Sequence, residues 1–144
     1  MRRTLIAAAF LLAGLATASA ANEQLHYEPA VVRLSGILVT DYIYRPPDFG
    51  EDPETDQIER LWILKLDQPV DVIGTPDDDI NSESENDVGR VGLVNFSNVN
   101  LSAHVGKRVM LEGTLFHAHT GRHHSIILLN IHKVTRLKNR RVAD

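Results

Sequence analysis

The chain contains no cysteine among its 144 residues. This excludes disulfide staples, thiolate metal ligands, cysteine nucleophiles and a lipid on a mature N-terminal cysteine. No stretch sustains the i, i+3, i+4 apolar spacing of an amphipathic helix. A Gly-x-Ser-x-Gly elbow, a phosphate-cradling glycine loop and paired carboxylates in an apolar setting are also missing, and with them the commonest signatures of nucleophilic, nucleotide and glycosidic chemistry. Nor is there an overall excess of positive charge: the formal net charge is −4. A nucleic-acid partner is therefore not expected, because phosphate contacts supply most of that affinity.

Only one long apolar run is present, and it lies at the start. In MRRTLIAAAFLLAGLATASA, Arg2 and Arg3 precede an apolar stretch from Leu5 to Ala16, and Ala18-Ser19-Ala20 offers a signal peptidase its small residues. The run is shorter than the roughly 20 residues of a spanning helix, so residues 1–20 are expected to be a cleaved secretory signal, not an anchor. The mature chain is then soluble, in the periplasm or the medium, and of a length that suits one domain.

Charge within that chain is segregated. Residues 41–90 hold fifteen acids and four bases, whereas residues 91–144 hold eight bases and two acids. After a polar lead-in at 21–30, five segments carry the β-branched and apolar density of strands: VVRLSGILVTDYIY, ERLWILKLDQPVDVIG, RVGLVNFSNV, KRVMLEGTLFHAHT and HSIILLNIHKVTRL. Gly36 marks a bend in the first and Pro69 one in the second. Proline-rich YRPPDFGEDPETDQ and acidic TPDDDINSESEND are loops, and NLSAHVG is a short connector or helical turn. Five strands with one short turn between the third and fourth describe an all-β, OB-like barrel over residues 31–137, followed by a basic tail at 138–144; a small β-sandwich is the competing architecture. Gly113 would permit the sharp coil that a small barrel needs.

Four of the seven histidines, His117, His119, His123 and His124, fall within GTLFHAHTGRHHS. Alternation puts His117 and His119 on one face, continuing the series Val109, Leu111, Gly113, Leu115 to the barrel mouth. A two-residue Gly121-Arg122 turn would set His124 opposite His119, and a three-residue Thr120–Arg122 loop would set His123 there. Ile127, Leu129 and Ile131 share parity with His123, which favours His123 inside and His124 outside. Three neutral imidazoles with an open fourth position would suit Zn²⁺, and also copper or nickel. No acid in the hairpin offers itself as a supporting partner, since Glu112 has the wrong parity. The plain alternative is a polar rim capped by Thr120, Ser125, carbonyls or water. Clustered imidazoles also cannot all protonate without repulsion, so acid would strain the hairpin.

The segments GTLFHAHTGRHHSIILL, RPPDFG and LWILKLDQPVDV resemble a bacterial family of secreted domains of unknown function, DUF4431, with the similarity spanning residues 31–132. In that family a histidine commonly stands where this chain has Arg122. The resemblance implies a small extracytoplasmic β-domain and carries no activity with it.

Asp77, Asp79 and Asn81 alternate as in a calcium loop, but Ser82 replaces the required glycine and Val88 the bidentate glutamate, so a solvated acidic loop is the expectation. Tyr42, Tyr44 and Trp62, with Phe49 near in sequence, could stack on a sugar or peptide, or simply pack. Ser125 beside His124 is adjacency along a strand, which does not make a nucleophile–base pair. The sequence thus points to an exported, non-enzymatic OB-like domain that binds a protein or an envelope component at its histidine-lined mouth. The alternatives are a zinc- or copper-binding protein using His117, His119 and His123 or His124, and a small zinc-dependent hydrolase.

Overall fold

A computed structural model describes residues 19–45, 50–52 and 54–139. The expected signal segment lies almost wholly outside the described residues, as do Phe49 and residues 140–144 of the basic tail. Among the described residues no helix is long and apolar enough to cross a membrane.

The described residues are all-β, with six strands rather than five: β1 (Glu23–His26), β2 (Val31–Tyr44), β3 (Ile58–Ile73), β4 (Glu85–Val94), β5 (Arg108–His117) and β6 (Ile127–Arg136). Among the described residues the one helical element is a single 3-10 turn, Ser102–His104, between β4 and β5, where a connector or turn was expected. β1 lies within the polar lead-in. Four residues with one apolar side chain give too little alternation to announce a strand, yet Leu25 and the following Tyr27 both enter the core.

The sheet runs β1-β3-β2-β5-β6-β4, and β3 also pairs with β4. Long β3 makes this pattern work. Its first part, Ile58–Leu66, pairs antiparallel with β2; its last part, Val70–Ile73, pairs parallel with β1; β4 runs along its other edge. The β3–β4 register slips between Lys65 and Val70, at the Pro69 bend. A proline has no N–H for the ladder, so an irregularity belongs there. β4 and β6 are parallel and touch only through Gly92–Val94 and Leu128–Asn130.

Alternation fills the interior. Val109, Leu111 and Leu115 are fully buried, as are Ile131, Leu129 and Ile127 from β6, so the inward parity expected for both strands holds. Leu38 on β2 and Leu64 on β3 complete the same layer. At Gly36 and Gly113 the backbone of a neighbouring strand comes so close that a Cβ would lie 2.0 Å from a carbonyl oxygen, of Lys65 and Asn130 respectively. The β5–β6 register shifts at Gly113, a bulge that bends the strand.

Candidate functional site

His117 is the last residue of β5, and alternation turns its ring inward over the end of the core. There it meets Tyr27 edge-on, with ring centroids 6.3 Å apart. Its Nε2 lies 3.0 Å from a Glu85 carboxylate oxygen, and its Nδ1 lies 3.0 Å from the Ala118 carbonyl. Both ring nitrogens thus face acceptors, a setting that favours the imidazolium, which donates from both. Burial is the largest single influence and works against the charge. The hydrogen bond to Glu85, the Ala118 carbonyl and the fields of Glu85 and Glu83 together outweigh it and hold the His117 pKa above its ordinary value. Burial, aided by Glu85 and Glu83, pushes the Tyr27 phenol up to about 12. It stays protonated and donates to the Glu83 carbonyl at 2.8 Å.

Sequence reasoning missed this arrangement, because Glu85 and Asn81 reach the hairpin from β4 and the acidic loop. Asn81 is 2% exposed, and its Oδ1 accepts the His117 backbone N–H at 2.9 Å. Asp78 in turn accepts the Asn81 and Ile80 amides at 2.7 and 2.8 Å. The Asn81 side chain is therefore committed to the sheet and does not join Asp77 and Asp79 in a calcium-type ladder. The acidic loop is mostly exposed to solvent, as expected, and through Asn81 it also buttresses the end of β5.

The other three histidines do not join His117. β5 ends at His117, which pairs with Ile127, so residues 118–126 form a long loop instead of the two- or three-residue turn expected from Gly121-Arg122. The difference has a simple cause. Sliding the register by two residues preserves every inward side chain, so the apolar pattern cannot set the loop length. His119 and His123 lie on the opposite side, around Phe116, with ring centroids 6.0 and 5.6 Å from it and 4.8 Å from each other. The His119 amide donates to His123 Nδ1 at 3.2 Å. Burial first, then the neighbouring His119 and His124, hold the His123 pKa below its ordinary value. His124 is exposed. The expected inner set of His117, His119 and His123 is thus not assembled, and no group of three or more His, Cys, Asp or Glu among the described residues is disposed to hold a metal ion.

The loop folds against the sheet at Gly92. A Cβ there would lie 2.8 Å from Ser125 Oγ and 2.9 Å from Ser125 Cβ, so only glycine lets the loop sit this close. Between loop and strands two neighbouring hollows open. One, of about 770 Å³, is bordered by Tyr44, Arg45, Glu59, Arg122 and His124. The other, of about 300 Å³, adds Arg60, Trp62 and His123 and shares Glu59, Arg122 and His124. The Arg60 guanidinium stacks on Trp62 at 4.2 Å, and Arg45 pairs with Glu59 at 3.4 Å. Two of the three proposed aromatics therefore meet the histidine loop. Tyr42, 61% exposed, borders neither hollow.

No curated protein and no solved structure matches the chain. One family model does: residues 98–135, comprising the 3-10 turn, β5, the histidine loop and nearly all of β6, match it. The similarity is narrower than the sequence implied and leaves out β2 and β3. Over these residues the chain is similar to the family described as domain of unknown function DUF4431, as its sequence resemblance implied.

Proposed function

We propose that this chain is an exported binding domain of OB type, which takes its ligand in the cleft between the histidine loop and the β2–β3 arm. Support for the barrel comes from the pairings, which return on themselves through β2, β3, β4, β6, β5 and β2. The parallel contact between β4 and β6 and the short turn before β5 accord with that architecture. Support for export comes from the arginine-led apolar run and the small residues at 18–20. The observation that carries the binding role is that Arg122 and His124 border two neighbouring hollows, one faced by Tyr44 and the other by Trp62. Aromatic faces suit sugar rings or planar peptide groups, and the cations suit a carboxylate. A soluble cell-wall glycopeptide combines both, and fits a protein working in the envelope.

Trp62 is the only tryptophan, so its fluorescence reports directly on the cleft. Titrating the full mature chain with soluble cell-wall glycopeptide fragments should change that emission saturably, and Arg122→Ala and Tyr44→Ala should each weaken the response about tenfold, the equivalent of ~1.4 kcal/mol. Emission that stays constant to millimolar fragment rejects this ligand class. A saturable change that survives both substitutions rejects the cleft.

A further inference from the structure

The basic half of the sequence lines a second hollow in the fold. The acidic loop buttresses the His117 end of β5. At the other end of this strand, about 30 Å away at ~3.3 Å per residue, a hollow of about 430 Å³ opens between the start of β5 and the end of β6. It is bordered by Lys107, Arg108, Arg136, Leu137, Lys138 and Asn139, with four cations and no acid among them.

Its walls are fixed by the backbone. The Lys107 amide donates to the His104 carbonyl at 3.0 Å, and the Lys107 carbonyl accepts the Leu38 amide at 3.1 Å. The Leu137 amide donates to the Arg108 carbonyl at 2.9 Å, clamping the two walls together. Arg108 is already engaged. Asp67 takes its Nε and Nη2 at 2.8 and 2.6 Å, and Nη1 donates to the Lys138 carbonyl at 3.3 Å. That guanidinium therefore braces the hollow rather than filling it. Lys107, Arg136 and Lys138 are exposed and have no ion-pair partner among the described residues. Three like charges held around one concavity repel one another, and a multiply charged oxyanion relieves that repulsion while accepting several charge-assisted hydrogen bonds.

We propose that this hollow is an anion site for a phosphate-type oxyanion, separate from the aromatic cleft. Its source is either a free diphosphate-like anion or the clustered phosphate headgroups of an anionic lipid surface, and both bring non-bridging phosphate oxygens and more than one negative charge to the same three cations. The two sources are separable with the full mature chain. Inorganic pyrophosphate is titrated while backbone amide shifts of residues 106–109 and 136–139 are followed, and cosedimentation is compared on vesicles of phosphatidylglycerol and of phosphatidylcholine alone.

Saturable shifts confined to those residues identify the free anion. Preference for phosphatidylglycerol without pyrophosphate shifts identifies the headgroup. In either case Lys107→Glu with Arg136→Glu should weaken binding at least tenfold and Lys107→Gln with Arg136→Gln by less, while Lys133→Glu, placed opposite Glu112 on the ladder, should leave it within about twofold. The substituted side chains at 107 and 136 are exposed, and an unchanged melting curve verifies that each variant is folded. Absence of both responses overturns the site, and so does binding that the double charge reversal leaves intact.

Discussion

The carboxylates that favour the charged form of His117, Glu85 and Glu83, lie far from it in sequence. The His117 pKa is raised in the folded chain, so the Glu85 contact stabilises fully below the unfolded value of about 6.5 and fades as pH rises through the folded value. Glu85→Gln should therefore lower the pH at which the His117 ring titrates by NMR. It should cost about 1 kcal/mol near pH 5.5 and much less near pH 8.5, since both side chains are partly solvated. An equal loss at both pH values would mean that Glu85 acts through packing. Asn81 sets a harder constraint: Asn81→Ala leaves the partly buried His117 amide without its acceptor, which should cost about 1–3 kcal/mol in denaturant unfolding. Neither partner could be read from the hairpin. The parity of His117 was legible from Val109, Leu111 and Leu115, but what faces it depends on how β4 and the acidic loop close over the end of β5.

The histidine loop shows where a periodic signal runs out. Inward parity on β5 and β6 follows from period-two alternation, yet registers two residues apart satisfy it equally well, and the structure takes the one that pairs His117 with Ile127. The loop is then long enough to fold back, with Ser125 against Gly92 and His123 against Phe116. Gly92→Val should push Ser125 away. Amide exchange across 118–126 should rise by an order of magnitude or more while the β5–β6 ladder stays protected. Acid should act on the same element. The His123 pKa is lowered on folding, so its neutral form stabilises the docked loop above about 6.5, and that contribution is lost as pH falls through the folded value. Protection factors in the loop, corrected for intrinsic amide exchange, should accordingly fall on acidification, and His123→Phe, which cannot charge, should remove that fall. Protection that falls equally in that variant would place the response elsewhere.

At the scale of the whole molecule, the all-β class was legible from five dense segments and from the lack of helical periodicity, whereas the sixth strand was not. β1 offers only Leu25 as an apolar residue, and its significance is topological: it pairs with Val70–Ile73, the part of β3 that lies beyond the reach of β2. Without it, that stretch of β3 has a bare edge, and the core loses Leu25 and the anchoring of Tyr27, which is 1% exposed. Strand and core therefore fail together, and the cost is cooperative. Tyr27→Phe keeps the ring and gives up only the bond to the Glu83 carbonyl, a loss of about 1 kcal/mol. Tyr27→Ala empties the position under His117 and should cost about 3–5 kcal/mol. Deleting residues 19–26 removes Leu25 and the β1–β3 ladder together, and should lower the melting temperature by about 10 °C or more. A truncated chain that melts within about 2 °C of the intact one would show that the residues from Tyr27 onward fold without β1, and that β1 only decorates the edge of β3.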